Sequence, residues 1–149
     1  MPAGYLAACV TEKLTRLRVL FWAVIIGSVF PDIDMLWFHF VDQGAHHHHG
    51  YLTHRPAIWA GVAILGLCLR NFAVSGFGIG ALLHMALDTI AGAIAWGWPF
   101  SNKSSTFVIV QPTHDHWLLS FLWHWTFKVE IALSLLALTV FLVRWRNRV

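Results

Sequence analysis

Apolar residues fall in long blocks separated by short polar segments, and most blocks are long enough to enter a bilayer. Residues 2–18 are mixed. Leu6, Val10, Leu14 and Leu17 recur at helical spacing beside Lys13, Arg16 and Arg18, which predicts an interfacial amphipathic helix leading into a membrane. Residues 19–30 are apolar and stop at Pro31, a residue that breaks or restarts a helix. The apolar, aromatic run Met35–Val41 follows, so the first span is expected to break at Pro31. Residues 42–55 are polar and histidine-rich and predict a loop. Pro56–Leu69 is apolar and ends at Arg70-Asn71. Phe72–Phe100 is a long apolar stretch interrupted by small residues, His84 and Asp88. Ser101–His116 predicts a polar loop with a short β-prone run, Phe107–Val110. Trp117–Val143 is the last apolar stretch, closed by Arg144, Arg146 and Arg148.

These blocks predict an all-α membrane protein: one domain over residues 1–149, a compact bundle of about four transmembrane helices preceded by the amphipathic helix. The second span is short, because a bilayer core of about 30 Å takes roughly 20 residues. Composition agrees. The chain is 58% hydrophobic and 11% charged, against about 25% charged in soluble domains. Cys9 and Cys68 stand alone in apolar surroundings and suggest no disulfide framework.

The net charge of +3 brings orientation rather than nucleic acid into the picture. Lys13, Arg16, Arg18, Arg70, Arg144, Arg146 and Arg148 fall on one side of a four-span arrangement, and only Arg55 and Lys103 fall in the opposite loops. Both termini are therefore expected in the cytoplasm. No signal-peptide cleavage pattern is visible, so the first apolar stretch is expected to stay attached. Trp37, Trp96, Trp98, Trp117, Trp123 and Trp125 lie near the outer loops, as an interfacial belt would.

Ionisable residues inside these blocks carry the chemistry. They lie in Pro31-Asp32-Ile33-Asp34, in His49-Gly50-Tyr51-Leu52-Thr53-His54 and in His84-Met85-Ala86-Leu87-Asp88. Carboxylates with imidazoles form the ligand set of zinc-like or manganese-like sites. His84 and Asp88, four apart, share a helical face and can hold one cation or simply bond two helices together. Asp32 and Asp34 would diverge on a regular helix. At a proline-broken turn both can face inward, although acidic residues after a proline also mark an ordinary helix start. Each buried carboxylate costs roughly 2.5–3.5 kcal/mol at mid-membrane. Three of them unpaired would cost on the order of 10 kcal/mol, comparable with the net stability of a domain, and a shared divalent cation would offset that. Arg55 is the nearest cation, suited to a phosphate or to membrane headgroups. His46 and His47 read as a solvated loop, and His114, Asp115, His116 and His124 as residues near the outer surface that could approach the site. Lys128 and Glu130 do not share a helical face, and the pattern assigns Glu130 no partner.

In this order, the patches resemble the YdjM-like family of predicted membrane-bound metal-dependent hydrolases. The resemblance runs over about residues 27–101 and includes Gly97-Trp98-Pro99-Phe100-Ser101. Many members carry histidine–arginine–glycine where this chain has His49-Gly50-Tyr51, and here an arginine, Arg55, follows Thr53-His54 instead. The resemblance implies a multi-pass protein of the cell inner membrane that binds a divalent metal, and it singles out His49 and His54.

The resulting expectation is a hydrolase at the outer face of the membrane, with Asp32, Asp34, His49, His54, His84 and Asp88 as ligands of zinc or manganese. Asp34 is expected to serve as proton acceptor and Arg55 as stabiliser of a developing anion. An interfacial site suits a phospholipid or another lipid-linked phosphoester. The expected partners are the bilayer and that amphiphilic substrate, with no nucleic acid and room for an oligomer. The competing expectations are a metal-handling membrane protein without catalysis, and a structural bundle whose polar residues only join helices.

Overall fold

The computed structural model describes residues 2–45, 48–111, 113–114 and 117–147. Among them are seven α-helices and no strand: α1 Pro2–Thr15, α2 Arg18–Gly27, α3 Asp34–Phe40, α4 Pro56–Cys68, α5 Phe72–Asp88, α6 Trp117–Trp123 and α7 Trp125–Arg146. Short 3-10 turns cover Phe30–Ile33, His48–Gly50 and Leu52–His54.

α5 is the centre of the packing and lies between α2 and α4. Small residues make this possible. A Cβ on Gly80 would come within 2.9 Å of the amide nitrogen of Ser28, which caps α2, and one on Gly78 within 2.6 Å of the Ala63 amide on α4. Between apolar helices in lipid the hydrophobic effect gives little drive, so close backbone approach and dispersion carry the association. The α4–α5 turn is closed by Asn71. Its amide donates to Gly66, and its side chain accepts from the Ala73 and Val74 amides at 3.1 and 3.2 Å, capping α5.

Pro31 acts as expected. α2 ends just before it, and the segment Phe30–Phe40 continues at 43° to α2. The two together pass as one bent span. α7, with 22 residues, is the one described helix long and apolar enough to cross a membrane alone. Its length is about 33 Å. α4 and α5 are apolar but have only 13 and 17 residues, so helix length alone supports part of the expected four-span bundle.

Three expected boundaries move. The third apolar stretch stops being helical at Asp88 rather than Phe100. Thr89 turns its hydroxyl onto the Met85 carbonyl at 2.7 Å, Trp96 donates to that hydroxyl, and Gly92 and Pro99 follow in non-helical chain. The last stretch is split at His124, whose backbone is extended and whose ring caps α7 by accepting from the Thr126 amide. The β-prone run forms no strand, but Phe107 and Val108 donate to the Thr89 and Ile90 carbonyls at 2.8 and 2.9 Å and lie against the end of α5.

α1 also departs from the expected interfacial helix. It stands beside α2 and α7, burying Gly4, Ala8 and Cys9 and leaving Val10 and Leu14 exposed. Glu12 pairs with Arg144 near the far end of α7, and Arg144 lies 5.4 Å from the Phe21 ring. Its other end, at Pro2, reaches the wall of a cavity that Asp88 also lines.

Candidate metal centre

The face of α5 that meets α2 carries Gly76, Gly80, His84 and Asp88, one every four residues. The two glycines bring the backbones together, and the next turn delivers His84 to the carbonyl of Ser28. Its Nδ1 lies 2.9 Å from that oxygen. A carbonyl only accepts, so Nδ1 donates, and the neutral ring keeps a lone pair on Nε2. His84 is fully buried. Its Nε2 lies 2.9 Å from Asp88 Oδ2 and 3.3 Å from Asp32 Oδ1 but is aligned for a hydrogen bond with neither.

His54 is held in the same manner from the opposite side. The 3-10 turn after Pro31 puts Asp34 at the start of α3, where its Oδ2 lies 2.6 Å from His54 Nδ1 and accepts the Thr53 hydroxyl. The Thr53 carbonyl is fixed in turn by the Trp59 indole of α4 at 2.7 Å. With its Nδ1 proton directed at Asp34, His54 turns Nε2 toward Asp88 Oδ2 at 3.6 Å and Asp32 Oδ1 at 3.9 Å. A carboxylate behind a histidine is a recurrent support for metal ligands, because it fixes the tautomer and raises the basicity of the other nitrogen.

His49 completes the group. Its Nε2 lies 3.8 Å from Asp88 Oδ2, and its ring is 5.1 Å from that of His54. It rests on Gly92, where a Cβ would overlap the imidazole. Two overlapping trios result, Asp32–His54–His84 and His49–His54–Asp88, each with its ligand atoms within 4.8 Å of one another.

The donor set fits a divalent ion. Two ligand atoms about 2.1 Å from an ion at a tetrahedral angle stand about 3.4 Å apart, and the cross-distances here run from 2.9 to 3.9 Å. With Nδ1 of His84 and of His54 each committed to an oxygen, the neutral form of either ring would offer Nε2 to an ion.

Other residues named from sequence are placed elsewhere. Asp34 stands behind His54, not among the converging atoms. Arg55 donates from Nη2 to the Gly50 carbonyl at 2.7 Å, closing the His49–His54 loop on itself. In the same loop Tyr51 donates to Asp42 at 2.6 Å; desolvation and that bond push its phenol up to about 12. His124 is a helix cap, and His114 is exposed, its backbone bonded to Ser120. Lys128 is exposed on α7. His46, His47, Asp115 and His116 lie outside the described residues. Ser28, Thr53, Trp59 and Gly92 support the ligands without any motif that would mark them.

Beside the cluster lies a cavity of about 1050 Å³. Its walls are the end of α5 with the turn after it, the Thr106–Val110 segment, and the α7 residues Trp125–Ser134. His49 and Asp88 line it, and most of the remaining lining is apolar.

The family model described as YdjM inner membrane protein matches residues 2–148, so the chain belongs to that family. No curated protein and no solved structure matches it.

Proposed function

For this member of the YdjM inner membrane protein family, we propose a metal-dependent hydrolase of a phospholipid or lipid-linked phosphoester, working at the outer face of the inner membrane. The observation that carries the reading is the convergence of buried His54 and His84 with Asp32, and of His54 with His49 and Asp88, each trio with its ligand atoms within 4.8 Å of one another.

Asp32, His49, His54, His84 and Asp88 would hold one or two divalent ions, with zinc and manganese the metals best suited to mixed imidazole and carboxylate ligands. A bound ion supplies Lewis acidity, which lowers the pKa of water towards neutral and polarises a phosphoryl oxygen. The chain's own groups do the rest. Ser28 and Asp34 lock the two buried imidazoles in the ligating tautomer. Asp32 is the more open carboxylate, with 44% of its side chain exposed against 5% for Asp34. With one oxygen on the ion, its other oxygen would be the acceptor for a proton from attacking water. Asp34 is a positioning residue in this scheme, and Arg55 braces the ligand loop.

The same reading places four passes: α2 with α3, then α4, α5 and α7. Lys13, Arg16, Arg18, Arg70, Arg144 and Arg146 lie at the helix ends remote from the cluster, which supports a cytoplasmic location for those ends.

The test is the metal content of detergent-purified protein beside a folded His84→Ala, Asp88→Asn variant, with a phosphoester screen on both. One or two equivalents lost in the variant, together with metal-dependent turnover, support the enzyme. Metal without turnover of any phosphoester supports non-catalytic metal handling. Equal metal in both proteins sinks the site.

A further inference from the structure

The cavity beside the cluster is lined by His49 and Asp88, by Thr126 and Glu130, one turn apart on the same face of α7, and by apolar residues. Phe107 and Val108 belong to its wall beside the end of α5, and Leu133 lies on α7 three residues beyond Glu130. Ser134 spends its hydroxyl on the Glu130 carbonyl at 2.8 Å.

Its dimensions suit one lipid chain. The α7 wall from Trp125 to Ser134 spans about 13 Å at 1.5 Å per residue, close to one leaflet, or half of a hydrocarbon core of about 30 Å. The volume lies at the upper end of ordinary ligand pockets, about 300–1,000 Å³. α7 packs on α1 and α6 rather than closely on α5, and both α5 and α7 line the cavity.

Charge narrows the occupant further. Among the described residues no cation pairs with Glu130, and Lys128, two residues earlier, projects from another face. A carboxylate kept in an apolar wall is costly unless a donor meets it. We propose that this cavity binds an aminophospholipid entering sideways between α5 and α7. Its phosphate lies at the His49–Asp88 cluster, its ammonium at Glu130, and one acyl chain runs past Leu133. The phosphate end of this proposal rests on the hydrolase reading, while the chain and ammonium ends do not.

The experiment uses full-length protein in phosphatidylcholine nanodiscs doped with phosphatidylethanolamine carrying a tail diazirine, and with the matching phosphatidylglycerol probe. After irradiation, labelled peptides are mapped by mass spectrometry, and metal content is measured on the same samples. The proposal expects phosphatidylethanolamine labels on Leu133, Phe107 and Val108, lost with Leu133→Trp. It also expects a preference over phosphatidylglycerol of about tenfold, the scale of one charge-assisted hydrogen bond, abolished by Glu130→Gln with metal content unchanged. Labels spread over the outward residues Leu135, Leu138 and Leu142 and unmoved by Leu133→Trp overturn it, as does equal labelling by both lipids. Labelling as expected with no metal removes the hydrolase reading alone; metal bound with no cavity labelling removes the lipid proposal alone.

Discussion

His84 donates from Nδ1 to the carbonyl of Ser28, a residue 56 positions earlier in the chain that caps the end of α2. That bond joins packing to chemistry. It exists because Gly80, one turn before His84, lets α5 approach the α2 backbone, and it fixes which nitrogen of His84 faces Asp32 and Asp88.

Gly80→Val should therefore damage the site without touching a ligand. The added atoms overlap the backbone around Val24 and Ser28, and overpacking of this kind costs about 1–3 kcal/mol. Thermal unfolding in detergent should show the loss, and metal content should fall with it as His84 leaves Ser28. Gly61→Val is the control, since a Cβ there meets nothing within 4 Å. If both variants keep full metal content, the close helix approach does not set the histidine.

Asp34→Asn separates a supporting carboxylate from a direct ligand. The amide can still bond His54 Nδ1, but it no longer enforces the proton there. Replacing such partners typically weakens metal affinity 10–100-fold, so competition against a chromogenic chelator should show a drop of that size with stoichiometry retained. Complete loss of metal, as expected for Asp88→Asn, would make Asp34 a ligand after all.

The difference between Asp32 and Asp34 shows where sequence reading stops. The motif names both, and Pro31 foretells the turn, but their roles part only because His54 stands between them. The position of His54 depends on Trp59 holding the Thr53 carbonyl, a contact without a pattern. His84 and Asp88 were legible because four-residue spacing on an apolar helix has one geometric meaning. The end of α5 was not, since hydropathy continues to Phe100 and cannot register the Thr89 hydroxyl closing the last turn. The placement of α1 was hidden for a related reason. Leu6, Val10 and Leu14 beside basic residues read as the apolar face of an interfacial helix, yet α1 packs through small residues such as Gly4 and Ala8.

Arg55→Ala tests whether this arginine serves the loop or the reaction. Its described bond is to the Gly50 carbonyl, within the segment that carries His49 and His54. A charged hydrogen bond contributes about 1.5 kcal/mol at the low end, so metal affinity should weaken about tenfold, and excess metal should restore occupancy and turnover together. Full occupancy with turnover still depressed would instead assign Arg55 to the anion of the reaction.

Chelation should lower stability through the cluster alone. A ligand present at 100 times its Kd stabilises the folded state by about 2.7 kcal/mol. For a chain of this size that is roughly 5–10 °C in thermal midpoint. Metal-loaded wild-type protein should lose that increment with EDTA, whereas His84→Ala should start lower and show no further shift. His114→Ala, altering an exposed residue outside both trios, should behave as wild type. An equal EDTA shift in wild type and His84→Ala would place the stabilising ion away from α5, with the histidine-rich segment before His49 the first place to look.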